Sequence, residues 1–198
     1  MDDVLVSLQE LNRCFLGLAA GAGDHGLPRR LAQLGAGQRA AVAECPYALF
    51  DIRFGDSAHW SRRLRDPSVW QVADVPRADP AALEFVGIAL FYVWHVARSA
   101  PLRAPLLLGM PRMLVPLFAS QTVDRLPALA ALEAAQLAPR WESCDGYWDE
   151  LLGAALRPGS DALRRAQLRG IQFAAAMSLG GGGILPSGGA LRPKASGV

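Results

Sequence analysis

Apolar residues recur along this chain at helical rather than strand spacing. Val4, Leu8, Leu11, Phe15 and Leu18 step by four and three residues, one stripe of an amphipathic helix. Gly21-Ala22-Gly23-Asp24-His25-Gly26 ends that helix, and Leu27-Pro28 opens a second helical stretch that reaches Leu34. The chain bends at Gly35-Ala36-Gly37 and resumes from Gln38 until Cys45-Pro46. Residues 47–54, rich in aromatic and branched side chains, are the one strand-like place. The segment is short and isolated, and a lone strand cannot satisfy its own backbone. Asp56 or Ser57 caps a helix through Trp60 and Leu64, stopped by Asp66-Pro67.

The second part of the chain opens with a connecting loop, residues 66–79, that holds two prolines, Pro67 and Pro76. Asp79-Pro80 then supplies an N-cap acid and a proline in the first turn, where a missing N–H costs nothing. The helix that follows, about 80–98, is apolar nearly all round, which predicts burial on every side. Pro101, Pro105, Pro111 and Pro116 cut the next stretch into short pieces. Further helices are predicted over 123–137, over 145–156 with Trp148, Leu151, Leu152 and Ala155 on one face, and from Ser160 to about Met177. Glycines and prolines from Gly180 onward predict a flexible tail over 179–198. The expected architecture is all-α, a multi-helix bundle around a buried central helix. It has a helical region 1–65 and a second, 80–178, packing as one domain or two.

Composition narrows the class. The 198 residues are 52% hydrophobic and 19% charged, too apolar for intrinsic disorder. A chain of this size buries about 70% of its unfolded surface, so no disulfide or metal staple is needed. Twenty basic against eighteen acidic residues leave a net charge of +2, which implies no polyanionic partner over the whole surface. Cys14, Cys45 and Cys144, an odd number with no CxxC pair, fit a reducing cytoplasm better than a disulfide framework. The N-terminus is acidic where a secretory leader would be basic. The longest apolar run, 85–97, is thirteen residues, against the ~20 a membrane span needs. A cytoplasmic protein without a membrane partner is expected.

Candidate chemistry is sparse. Gly21-x-Gly23-x-x-Gly26 has the spacing of a dinucleotide loop, but an amphipathic helix precedes it and no βαβ pattern comes after it, which leaves a glycine-rich helix end. The sole lysine, Lys194, sits in the tail, so there is no Walker loop. His25, His59 and His95 share no metal-binding spacing, and His95 reads as a core histidine. Cys14 and Cys45 read as core thiols. Glu142, Asp145, Asp149 and Glu150 would hold a divalent ion only if they converged, and acids in a first helical turn already suit the helix dipole. No cofactor, metal or catalytic residue is therefore assigned. Trp141, Tyr147 and Trp148 are candidate anchors of a protein interface. Arg62, Arg63 and Arg65, beside Trp60, are candidate phosphate contacts, although residues 1–65 carry only eight arginines against seven acids.

Leu11-Asn12, Phe15-Leu16, Leu18-Ala19, Leu31, Leu34, Gln38 and the close Ile52-Arg53-Phe54 with Asp56 carry a resemblance over about 8–56. This stretch resembles the D subunit of the flagellar transcriptional master regulator. The resemblance implies a helical, dimerising region that serves DNA-bound transcription activation with a partner subunit. The family's cysteine three residues before that arginine is Phe50 here, and residues 66–198 have no counterpart in it.

These features predict a non-enzymatic cytoplasmic regulator or assembly adaptor, in flagellar or secretion regulation, acting by protein–protein contact. A homodimer through the N-terminal helices is the natural extension. The runner-up is a DNA-binding transcription regulator using the helix–bend–helix at 27–45 and Arg62, Arg63 and Arg65. Third stands an enzyme of unrecognised type using His95, Cys45 or the acids near Asp145.

Overall fold

The first apolar stripe folds as α1 (Asp3–Gly21), which turns Leu8, Leu11, Phe15 and Leu16 into the core. The computed structural model describes residues 3–23, 25–66, 77–142, 144, 146–157 and 160–179. The glycine-rich segment ends α1, as its composition predicts, and two short helices come next, α2 (Gly26–Ala32) and α3 (Ala36–Ala43). Gly35 starts α3 by donating its backbone N–H to Gln38 Oε1 at 2.8 Å. In α4 (Ser57–Arg65) the N-cap is Asp56, whose Oδ1 accepts the His59 N–H at 2.9 Å. In α5 (Pro80–Ser99) it is Asp79, which accepts from Ala81 N at 3.3 Å ahead of Pro80.

Beyond α5 the prolines keep every element short. They leave α6 (Ala104–Leu108), a 3₁₀ turn at Arg112–Leu114 and α7 (Val115–Ala119). The helix expected over 123–137 is divided into a 3₁₀ turn (Val123–Arg125), α8 (Leu126–Glu133) and a second 3₁₀ turn (Ala134–Gln136). Pro127 lies in the first turn of α8, the place where proline starts a helix instead of continuing one. The chain closes with α9 (Tyr147–Ala155) and α10 (Ser160–Leu179). The fold is an all-α bundle, as its periodicity predicts. Of the predicted tail, 179–198, Leu179 closes α10 and the rest lies outside the described residues, as does most of the predicted loop at 66–79.

The strand-like segment is where the structure adds to the sequence. Only Phe50 and Asp51 form β1, paired antiparallel with β2 (Ala138–Pro139), Phe50 opposite Pro139. The rest of its backbone is satisfied from other elements. Ala48 N–H donates to the Leu107 carbonyl at 2.7 Å, and Arg140 N–H donates to Leu49 O at 2.8 Å. The Asn12 amide on α1 does most: Nδ2 donates to the carbonyls of Ala43, Cys45 and Tyr47, and Oδ1 accepts the Leu49 N–H at 2.9 Å. This buried segment thus finds most of its partners on three sides outside its two-residue strand pair.

Helix α5 packs against α1, α7 and α8, while α10 lies on α9 and α6, and α3 on α9. Three aromatic groups tie early to late residues. Phe15 and Phe50 meet Phe85, Phe54 and Trp60 meet Phe118, and Tyr47 meets Trp141 beside Tyr147 and Phe173. The expectation that α5 is buried on every side is corrected. Phe85, Val86, Ala89, Leu90, Val93 and Val96 enter the core, but the stripe Glu84, Ile88, Phe91, His95, Arg98 faces out. Among the described helices α5 alone is long and apolar enough to cross a membrane, with mean hydropathy 1.5, yet 44% of that window is buried within this fold.

Candidate functional site

Helix α4 and the turn before it build a polar recess. The turn leaves β1 with Arg53 in the left-handed region at φ 61°, a strained setting for arginine. Two bonds to its carbonyl hold it there: Trp60 Nε1–H donates at 3.0 Å and Asp56 N–H at 2.9 Å. Trp60 itself is fully buried against Phe54 and Phe118, so the recess rests on the core. An open cavity of about 460 Å³ lies here, lined by Arg53, Asp56, Ala58, His59 and Arg62. Arg53 Nη2 donates to Asp56 Oδ2 at 2.6 Å, so both Asp56 oxygens are engaged. The backbone N–H of His59 and the Arg53 guanidinium hold the Asp56 carboxyl below the usual range.

His59 sits at the inner wall, 9% exposed, with Nε2 2.9 Å from Glu133 Oε2. Glu133 is fully buried at the end of α8, and its other oxygen lies 2.8 Å from Arg63 Nε. That N–H points off the line of a hydrogen bond, so the second contact is Coulombic. A carboxylate in the core is costly unless paired, and here it has a cation on one side and an imidazole on the other.

A second buried polar group surrounds Arg140. Its Nη1 donates to the carbonyls of Ala48 at 3.3 Å and Leu107 at 3.4 Å, and its guanidinium lies 4.3 Å over the Trp141 ring. Burial lowers its pKa to about 10, against the raising pull of Asp51, and it remains a cation at neutral pH. Gly109, at φ 72°, leaves the space the guanidinium fills: a Cβ there would stand 2.1 Å from Nη2. Nearby, Tyr147 donates its hydroxyl proton to Tyr47 Oη at 2.9 Å, and burial raises both phenols. Burial also pushes the Cys45 thiol up to about 12, partly offset by hydrogen bonds with Tyr47 and Gln167. This group joins segments; its reactive side chains are held in their neutral, unreactive forms.

The three aromatic candidates for an interface are corrected. Trp141, Tyr147 and Trp148 are all buried, and Trp148 Nε1–H donates to Arg140 O at 2.9 Å, so none presents a surface anchor. Their rings pack α9 and α10 against Tyr47 instead. The arginine cluster is divided. Arg62 and Arg65 are exposed on α4, whereas Arg63 turns inward to Glu133. His95 and Cys14, expected in the core, are both exposed. Of the acids, Asp149 pairs with Arg30 and Glu150 with Arg169, while Asp145 lies outside the described residues. Among the described residues no three His, Cys, Asp or Glu side chains converge as metal ligands.

Sequence reasoning does not find the His59–Glu133 pair or the Asn12 hub. Each had a signal: Glu133 is the lone charge in Leu-Pro-Ala-Leu-Ala-Ala-Leu-Glu, and Asn12 is a polar side chain next to Leu11 on the apolar stripe of α1. Compared with known proteins, the chain matches no family model, no curated protein and no solved structure.

Proposed function

We propose that this chain is a non-enzymatic regulator or assembly adaptor that works by protein–protein contact, with a second copy of itself as its first partner. One observation carries this: α5, alone among the described helices long and apolar enough to cross a membrane, leaves an apolar ridge in solvent. Ile88 is 54% and Phe91 41% exposed on α5, where every other feature calls for burial. Polar groups flank them on the same stripe, Glu84 toward one end, His95 and Arg98 toward the other. Two copies laid antiparallel about Phe91 bring Glu84 of each opposite Arg98 of the other, with Ile88 against the half-buried Trp94. Such a face is self-complementary, as an isologous two-fold contact requires. The outward face of α1 exposes a single large apolar side chain, Val6, among Glu10, Arg13 and Cys14, whereas α5 pairs Ile88 with Phe91, so we put the contact on α5. The regulatory half of the proposal is supported by the N-terminal resemblance.

A ridge this narrow belongs with the small interfaces, where weak and transient association is the expectation. Light scattering across protein concentration should show a monomer–dimer equilibrium that Ile88→Glu with Phe91→Glu abolishes. Glu84→Arg and Arg98→Glu should each be monomeric alone and dimerise when mixed, because the mixture restores both charge pairs. A strict monomer at every concentration, or charge variants that associate as the native chain does, would sink the proposal.

DNA binding is the second reading, favoured by the exposure of Arg62 and Arg65 beside Arg53. Duplex binding that weakens steeply with salt, and less steeply after Arg62→Ala with Arg65→Ala, is what it requires.

A further inference from the structure

We infer that the recess at the start of α4 is a binding site for the terminal phosphate of a small phosphate monoester. The charges around the cavity do not cancel. Asp56 is compensated by Arg53, through the 2.6 Å contact, and both its oxygens already accept hydrogen bonds. Glu133 is compensated by Arg63 and lies wholly inside the protein, with no surface toward solvent. What remains at the wall is Arg62, which has no ion pair among the described residues, and the ring of His59. The surplus is cationic, and the guest it fits is an anion.

Two guanidinium groups and an imidazole at one cavity favour a dianion with three terminal oxygens, a phosphate monoester, over a singly charged carboxylate. Arg53 and Arg62 both border the cavity, and planar guanidinium groups suit phosphate oxygens through paired N–H donors. Only one nitrogen of His59 is committed to Glu133, which fixes the ring and leaves its second nitrogen for other use. The volume, about 460 Å³, lies within the range of small-molecule pockets.

The covered position of His59 separates this ligand from a nucleic-acid backbone. His59 is mostly covered, so a guest that uses it must enter end-on. A terminal phosphate can do so, whereas a diester carries a sugar on both sides and one charge fewer. The site shares no residue with the α5 ridge, so either inference stands without the other.

The test uses the full chain, with phenyl phosphate, inorganic phosphate and chloride as probes, followed by heteronuclear NMR and calorimetry. Saturable binding of phenyl phosphate, absent with chloride at equal ionic strength, is expected to move the His59 and Arg62 side-chain resonances. Arg62→Gln should weaken it by about tenfold or more, the effect of removing one charged donor, while Arg65→Gln on the same helix leaves it unchanged. His59→Gln should weaken it similarly; because that variant disturbs Glu133, its circular dichroism must match the native chain before it counts. Equal binding of inorganic phosphate and phenyl phosphate supports the phosphate site and assigns no role to the organic part. Equal losses for Arg62→Gln and Arg65→Gln would mean a diffuse basic face and overturn the inference. Failure to saturate, or capture of duplex DNA with no response to phenyl phosphate, would overturn it too.

Discussion

Replacing Gly170 by alanine should destabilise this protein, although the same change usually strengthens a helix. Gly170 lies within α10 with the Tyr47 ring against its Cα. A Cβ there would stand 2.0 Å from Tyr47 Oη, 2.2 Å from Cζ and 2.9 Å from Cε1, far inside van der Waals contact. The ring has nowhere to retreat: it is fully buried, its centroid lies 5.3 Å from that of Trp141, and its oxygen accepts a bond from Tyr147. Helix α10 must therefore move, loosening Phe173 from Trp141 and Tyr147 and Ala174 from the core. Overpacking of this kind costs about 1–3 kcal/mol, and the upper end applies because the hydroxyl oxygen and two ring atoms of a rigid side chain are struck. Alanine returns about 1 kcal/mol of helix propensity, which leaves a net loss of about 2 kcal/mol. For a chain of this length that lowers the melting temperature by about 4–8 °C. Gly153 in α9 is the internal control, since a Cβ there meets nothing within 4 Å. Gly153→Ala should raise the melting temperature by about 2–4 °C through propensity alone. Thermal and urea unfolding followed by circular dichroism reads both. A Gly170→Ala protein as stable as the native one would refute the packing argument.

Other outcomes rest on the same contacts. Asn12→Ala strands three carbonyls and one N–H of residues 43–49, a loss of at least about 2 kcal/mol in urea unfolding; Asn12→Asp should not rescue it, because a carboxylate cannot donate. In thiol labelling at pH 8 read by mass spectrometry, Cys14 should react in the native state and Cys45 only after unfolding. The Cys45 thiol is raised from 9.0 to about 12 in the folded protein, so its contribution is complete below pH 9 and declines as pH climbs toward 12. Urea midpoints measured across that window should fall steadily, and a smaller slope is expected for Cys45→Ala.

What the sequence disclosed and what it withheld divide along a physical line. Helix boundaries at Asp56, Asp79-Pro80 and Gly21 were legible because caps and breakers act within a turn or two of chain. The partners of residues 47–51 were not, because they come from Asn12, Leu107 and Arg140, dozens of residues away. The same distance hid the site. His59 and Glu133 are 74 residues apart, and nothing in the His-Trp-Ser-Arg-Arg run says that Arg63 turns in while Arg62 turns out. Trp141, Tyr147 and Trp148 misled for a related reason: acids around them imitate a solvated surface, but Asp149 and Glu150 reach Arg30 and Arg169 while the rings point inward. Helix α5 misled in the opposite sense, since apolarity on all sides records what a helix can bury, not what its neighbours cover.

Those long-range partners also decide whether the chain can be divided at residues 66–79, where the sequence predicts a loop. Buried polar side chains bridge the two parts: Arg140 to Ala48, Glu133 to His59 and Arg63, Gln121 to the Leu64 carbonyl. The aromatic groups do the same, with Phe85 completing Phe15 and Phe50, and Phe118 completing Phe54 and Trp60. Full burial of one such side chain contributes about 1.5–3 kcal/mol. Losing half of that burial at these four early residues removes about 3–6 kcal/mol, comparable with the about 5–15 kcal/mol that holds a whole domain together. A fragment ending at Asp66 should therefore show little helical circular dichroism and no cooperative melt. The full chain should unfold in one step, with tryptophan fluorescence and circular dichroism coinciding, because Trp60 and Trp141 report from opposite sides of the loop. A sigmoidal melt from the fragment alone, or two separated transitions in the full chain, would show that the bridging contacts contribute far less than their burial implies.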